Sequence, residues 1–323
     1  MATDRFAARR QRRLAHITYM HHVGWGVVCL LLVAVMFGIW SYAQSLSSKN
    51  VVLEQRLASA IASKSTCKVV GQWQKGVTKQ QSIATPSGSR DFLVHVPDNF
   101  AANQYYPLML FYPGKGASAS AAKAAYGLDN LPAIVVYPFP TEGKDGFLAW
   151  EGAPYSSGAD DVSFTAAILD KVQSDLCIDR TRVYAAGMSN GGGFASLLSC
   201  KLPDRFAAYA IVSGAFYSPD GDCVPPRPAP LISIHGDNDP IVPYGGSIIR
   251  KLPPIEAWTA KRASIDGCKR PTTTYPNVNT ITTIWDSCNG GAVVQNIRIQ
   301  GGVHQWGQIS NDLLWQFLSR FSL

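Results

Sequence analysis

Five residues, Gly187-Met188-Ser189-Asn190-Gly191, constrain this chain more than any other stretch, because of what stands on either side of them. Before them comes the apolar run Val183-Tyr184-Ala185-Ala186, short and continuous enough to read as a buried strand. After them, residues 192–200 read as a helix carrying Phe194, Ala195, Leu197 and Leu198. Strand, GxSxG, helix is the local pattern of a nucleophile elbow, in which a serine occupies a strained turn. Side chains two residues before or after that serine would strike the neighbouring backbone, so glycine is needed at both places. The turn lifts the hydroxyl into the open and aims helix N-terminal amides at an incoming carbonyl. Ser189 is therefore the candidate nucleophile.

An elbow needs a sheet, and the chain from Cys67 onward supplies one. Runs at 90–96, 108–112, 133–137, 183–186, 208–212, 231–235 and 293–299 read as strands. They alternate with helical stretches at 117–126, 162–176, 192–200, 255–265 and 312–321. That alternation predicts an α/β fold of the α/β-hydrolase kind, with a mostly parallel central sheet flanked by helices. No repeat or second break in composition divides residues 67–323, which read as one domain. Chemistry in such folds gathers in the loops at the carboxyl ends of the strands.

A serine hydroxyl is a weak nucleophile and needs a base. Beyond residue 43 the histidines are His95, His235 and His304. His95 alternates within a strand, and His235 ends one and reads as shaping the turn that follows. His304, in Gly301-Gly302-Val303-His304-Gln305-Trp306, follows the last strand and precedes the C-terminal helix, the place for the general base. The orienting carboxylate should lie between Ser189 and His304 in chain order, where His235-Gly236-Asp237-Asn238-Asp239-Pro240 offers two. Asp239 is the choice, seated by the Pro-Ile-Val-Pro-Tyr stretch after it, with Asp237 forming the turn; the reverse assignment stays open. For the oxyanion hole, the Asn190 amide is one donor, and Gly114 or Lys115 in the loop Tyr112-Pro113-Gly114-Lys115-Gly116 is the other, since Pro113 has no N–H. Trp150, Tyr155 and Trp306 are candidate substrate-binding aromatics. Asp160 and Asp161 stand side by side at a helix start, a place for capping rather than for a pair of acid/base carboxylates.

The N-terminal part obeys other rules. Residues 1–22 form a basic segment with Arg5, Arg9, Arg10, Arg12 and Arg13, and residues 23–43 are an almost unbroken apolar run. As a helix, 21 residues span about 30 Å, the thickness of a bilayer core. The arginines predict a cytoplasmic N-terminus and an extracytoplasmic catalytic domain on a membrane anchor. The alternative is secretion after cleavage near Ala43, since Ser41-Tyr42-Ala43 has the small residues that processing uses. Residues 44–66 read as a stalk. Six cysteines follow the apolar run, an even number that in an exported domain suggests three disulfides. Sequence proximity favours Cys200–Cys223 and Cys268–Cys288, leaving Cys67–Cys177. With no CxxC pair and no His/Cys cluster at ligand spacing, neither metal nor cofactor is expected. The formal charge of +7 owes much to the N-terminal arginines; without that segment 24 basic residues face 21 acidic ones, so no nucleic-acid partner is read. Oligomeric state stays open.

Several motifs then follow one another in order: Tyr106-Pro107-Leu108, Trp150-Glu151-Gly152-Ala153-Pro154-Tyr155, Asp160-Asp161-Val162, Cys177-Ile178-Asp179, the elbow through Gly193, Val212-Ser213-Gly214-Ala215-Phe216-Tyr217, His235-Gly236 with Asp239 and Pro243-Tyr244, and Gly302 with His304 and Trp306. From Cys67 to the C-terminus this set resembles the feruloyl esterases and the related polyhydroxybutyrate depolymerase-like carbohydrate esterases. The resemblance implies carboxylic ester hydrolysis by Ser-His-Asp acyl transfer, with Ser189, Asp239 and His304 on the triad positions. It implies release of a hydroxycinnamic acid from plant cell-wall polysaccharide, the substrate being a feruloylated or acylated saccharide. Polyhydroxybutyrate depolymerase and acetylxylan esterase are the neighbouring alternatives; a membrane-tethered binding protein without chemistry is one of another class. The family usually carries His-Gly where this chain has Pro113-Gly114. Mass analysis of the mature N-terminus separates the two fates of residues 23–43: an anchored protein keeps them and sediments with membranes, whereas a start at Gln44 means cleavage.

Overall fold

The apolar runs assemble into one ten-stranded sheet, and the burial of each strand explains its place in it. In chain order the elements are β1 (Thr78–Thr85), β2 (Gly88–His95), β3 (Tyr106–Tyr112), α1 (Ala119–Tyr126), β4 (Ile134–Pro138), the short β5 (Thr141–Glu142) and β6 (Leu148–Ala149), α2 (Asp161–Asp175), β7 (Ile178–Met188) and α3 (Ser189–Lys201). There follow β8 (Ala208–Val212), β9 (Leu231–Gly236), α4 (Ile255–Ile265), β10 (Thr272–Asn277), β11 (Thr280–Trp285), β12 (Val294–Ile299) and α5 (Asn311–Leu318). The computed structural model describes residues 67–323 apart from 87, 218–222 and 309, together with residues 36, 38, 40 and 44. The basic segment, the anchor or signal at 23–43 and the stalk at 44–66 lie outside the described residues but for those four. Among the described residues no helix is long and apolar enough to cross a membrane.

The strand order is β1-β2-β4-β3-β7-β8-β9-β12-β11-β10. From β4 to β12 neighbouring strands run parallel, and at each edge a pair adds on antiparallel. Strands β3, β4, β8 and β9 are buried along their whole length, which is why their sequences are continuous apolar runs rather than alternating ones. Side chains still alternate between faces. Leu108, Leu110 and Tyr112 of β3 join one core with Phe164, Ile168, Phe194 and Leu198 from α2 and α3. Met109 and Phe111 join the other with Ala119 and Ala122 of α1 and Leu314 and Phe317 of α5. Helices thus cover both faces, leaving the strand ends free to carry loops.

Strands β1, β5, β6, β10 and β11 fall outside the apolar runs, and β7 lies only partly within one. β10 is exposed throughout and β1 is at best half-buried, so neither shows an apolar period; they are held by their ladders to β11 and β2. Pro276 fits only because β10 is an edge. β7 begins earlier than its apolar stretch: Ile178 already pairs with Tyr106, and polar Asp179 accepts from the Thr181 hydroxyl and from Arg182.

Disulfides join Cys67 to Cys177, Cys200 to Cys223 and Cys268 to Cys288. The first bridges residues 110 apart and ties the start of the fold to the residue before β7. Closing so long a loop restricts the unfolded chain most. The double substitution Cys67→Ala, Cys177→Ala should lower the unfolding free energy by about 2–5 kcal/mol, measured by urea titration of the oxidised protein.

Candidate active site

β7 and α3 meet without a linker, and Ser189 is the residue that makes the turn. Its φ is +55°, a conformation that costs a non-glycine residue free energy and is kept only where its surroundings enforce it. They do so by contact of backbone on backbone. A Cβ on Gly187 would lie 2.3 Å from the Gly191 carbonyl oxygen, and one on Gly191 would lie 2.1 Å from that of Tyr112. The elbow is thus pressed against the end of β3. On its other side Ala215 donates its amide to the Ser189 carbonyl at 2.9 Å, which fixes the loop after β8.

The loop expected to supply the second oxyanion donor follows β3. Gly114 faces Ser189: a Cβ there would stand 3.1 Å from the Ser189 Cβ. Among the described residues the Gly114 and Lys115 amides meet no intramolecular acceptor, whereas Gly116 donates to Leu148. Asn190 opens α3, and its side chain has a role the sequence did not suggest: its Oδ1 accepts from the Trp150 amide at 2.7 Å. The Trp150 indole in turn donates to the Pro113 carbonyl at 2.9 Å. Trp150 is wholly buried, stacked on Phe194 and edge-on to Tyr112, so it braces the loop after β3 against the elbow instead of lining a substrate surface. Trp306 is likewise a core residue, edge-on to Phe111 and donating to Asn311 at 2.9 Å. Both are corrected from their expected substrate-binding place. Apolar packing took them, and their N–H groups found internal partners. Tyr155 is half-buried, with the Lys115 ammonium 4.3 Å from its ring centre and Tyr217 edge-on to it. Lys115 also pairs with Asp145 and lies over exposed Phe147.

Strands β7, β8, β9 and β12 are parallel neighbours, so the turn at Ser189 and the loops after β9 and β12 rise from one end of the sheet. The loop after β9 carries Asp239 and the loop after β12 carries His304, whose Nδ1 lies 2.7 Å from Asp239 Oδ2. Asp239 Oδ1 accepts the amides of Ile241 and Val242, both at 2.8 Å. Burial would raise the Asp239 pKa, but hydrogen bonds from His235, His304 and the Val242 amide outweigh it and hold the carboxyl well below the usual range. Asp237 goes elsewhere: it pairs with Arg298 at 2.9 Å and accepts the Gly301 amide at 2.7 Å, tying down the loop that presents His304. Of the two candidate carboxylates, Asp239 is the one that meets His304. Asp160 caps α2 through the Ser163 amide at 2.8 Å, and Asp161 is buried against Arg90 at 2.7 Å, so both serve the fold. His95 ends β2, paired with Val135 of β4 and bonded to the Thr78 hydroxyl at 2.9 Å. His235, expected to end its strand and shape the turn that follows, is buried in β9 with Nε2 3.2 Å from Asp239 Oδ2, a contact that no sequence signal marks. Among the described residues no cluster of three His, Cys, Asp or Glu side chains could hold a metal ion.

Comparison with known proteins places this geometry in company. Residues 104–224 match the family described as Esterase PHB depolymerase. Feruloyl esterase B of Piromyces equi is 32% identical over 255 residues, covering 72% of this chain and 46% of that protein. The probable feruloyl esterase C of Aspergillus niger is 30% identical over 169 residues, covering 49% of this chain and 58% of its own. The chain thus spans about half the length of the curated relatives it matches. Among solved structures, an acetyl xylan esterase from Aspergillus awamori superposes with a TM-score of 0.57 at 19% identity, over 75% of this chain and 99% of that one, a likeness of fold.

The charge on Asp239 has a pH signature. Its folded pKa lies below the unfolded value of about 3.9, so its contribution to stability is fully present above that pH and is lost as pH falls through the folded value. Urea unfolding followed from pH 5 down to about pH 2 should therefore show Asp239→Asn losing less stability on acidification than the parent protein.

Proposed function

We propose that this feruloyl-esterase-like α/β hydrolase is a serine carboxylic ester hydrolase working by two-step acyl transfer, with Ser189 as nucleophile, His304 as base and Asp239 as orienting carboxylate. The observation that carries the reading is the 2.7 Å bond from His304 Nδ1 to buried Asp239, at the same end of the sheet as a serine held at positive φ. That bond makes Nδ1 the donor and leaves Nε2 bare to take the serine proton. Ser189 Oγ attacks the ester carbonyl as His304 Nε2 takes its proton. The oxyanion is met by the Asn190 amide at the start of α3 and by Gly114 or Lys115. His304 then gives the proton to the departing alkoxide, and water repeats the sequence on the acyl-enzyme to release the acid.

For the substrate, the relatives support a feruloylated or acylated saccharide of the plant cell wall. Tyr155 and Phe147, with Lys115 between them, offer flat rings beside the Gly114 loop on which a sugar or aromatic acyl ring could rest. Acetylxylan and polyhydroxybutyrate are the competing substrates. Three disulfides suit an oxidising, extracytoplasmic compartment. The proposed organisation is a cytoplasmic basic segment, an anchor at 23–43, a stalk at 44–66 and the catalytic domain from 67. Cys67 is bonded to the residue before β7 and Ser189 follows that strand's last residue, so Cys67 and Ser189 lie at opposite ends of about 35 Å of strand.

The purified protein should hydrolyse methyl ferulate and short p-nitrophenyl esters, and Ser189→Ala should lower kcat by at least about 10⁴-fold. Activity surviving that change would overturn the nucleophile. Initial rates should be higher on feruloylated arabinoxylan than on acetylxylan or polyhydroxybutyrate. Failure of a fluorophosphonate probe to label Ser189 would favour a binding protein without chemistry.

A further inference from the structure

The proposed machinery has one titratable neighbour to which it gives no task. His235, near the end of β9, is completely buried, in a strand whose other large positions are Leu231, Ile232 and Ile234. Its Nε2 lies 2.8 Å from the Val242 carbonyl oxygen. A carbonyl only accepts, so Nε2 carries the proton and Nδ1 is bare; Nδ1 is buried with no partner. Tyr244 packs edge-on to the ring. An imidazole is a poor core residue on these terms, because an unpartnered buried nitrogen costs free energy that a leucine would not. What the imidazole provides is position. The same Nε2–H stands 3.2 Å from Asp239 Oδ2, the oxygen that also takes the His304 proton donor at 2.7 Å.

We propose that His235 is a positioning residue for the reaction: its Nε2–H, anchored on the Val242 carbonyl, gives Asp239 Oδ2 a second donor and so fixes the plane in which the carboxylate faces His304. This rests on the reading that Ser189, His304 and Asp239 act together. Rotation of an aspartate about its terminal torsion is soft, and the two amides on Oδ1 leave the direction of Oδ2 less determined. With His235 in place, Oδ2 is confined between two imidazoles. His235 passes no proton itself, since Nε2–H is spent on Val242 and Asp239 and Nδ1 opens onto the core.

The test compares His235→Leu, which removes the donor, with His235→Gln, whose amide reaches the same donor position. Both are assayed on p-nitrophenyl acetate alongside thermal melts. His235→Leu should lower kcat about 10- to 100-fold with KM little changed, because the lost interaction serves a charged group in the transition state. His235→Gln should recover most of that loss, and the downfield proton resonance of the His304–Asp239 bond should weaken in the leucine variant and persist in the glutamine one. If His235→Leu does not fold, His235→Asn, whose amide stops short of Oδ2, takes its place. Parent-like kcat without the donor, or equal losses in the leucine and glutamine variants, would reduce His235 to core packing and overturn the proposal. Ser189→Ala separates the two ideas. Activity surviving there overturns the triad and His235 with it, whereas activity lost there but kept in His235→Leu overturns His235 alone.

Discussion

Everything at this site depends on how closely two backbones approach. The carbonyl of Tyr112 at the end of β3 occupies the space that a side chain on Gly191 would need, and the carbonyl of Gly191 occupies the space for one on Gly187. Parallel pairing of β3 with β7, in register from Leu108–Val183 to Tyr112–Gly187, delivers those backbones to the same level. Only then is Ser189 forced to φ +55°, and only from that conformation does β7 end and α3 begin on one residue. The strain is small against a sheet that buries β3 on both faces, so the fold can hold it.

Burying a carboxylate beside this turn sets the second requirement. Asp239 is nearly inaccessible, and an isolated charge there would protonate rather than remain. Four N–H groups, two from amides and two from imidazoles, keep it ionised. Three of these donors come from the chain's own next turn and from β9, so the charge is solvated before His304 arrives from another strand. The loop that brings His304 is fixed independently by Asp237, through Arg298 and the Gly301 amide. The two aspartates of this short loop therefore do different work: Asp239 carries the charge and Asp237 holds the loop of His304.

How much of this is legible in the sequence follows from which forces leave a periodic trace. The elbow is legible because sterics demand glycine at fixed spacing, and the parallel strands because burial on both faces demands unbroken apolar runs. Strands β1 and β10 are not, because an exposed edge is held by backbone ladders that place no demand on side-chain polarity. Trp150 and Trp306 show the limit of reading an aromatic residue: composition does not say whether an indole N–H faces a ligand or a carbonyl. His235 shows the same limit for imidazole. A histidine ending an apolar strand gives no hint of a bond to a residue four further on, because that bond depends on how the loop after Gly236 folds back.

The replacement of the family's usual His-Gly by Pro113-Gly114 has a physical account in the same terms. Proline fixes its own φ and offers no N–H, so position 113 can contribute only its carbonyl. That carbonyl is taken by the Trp150 indole, and the Trp150 main chain is taken by the Asn190 side chain. Pro113 and Asn190 are thereby joined through one buried tryptophan, and their relative position is set by buried side chains. The loop proposed to hold the oxyanion needs no donor at 113 under this arrangement. It needs residue 114 to be small enough to lie against Ser189, and the rigid proline before it to hold it there.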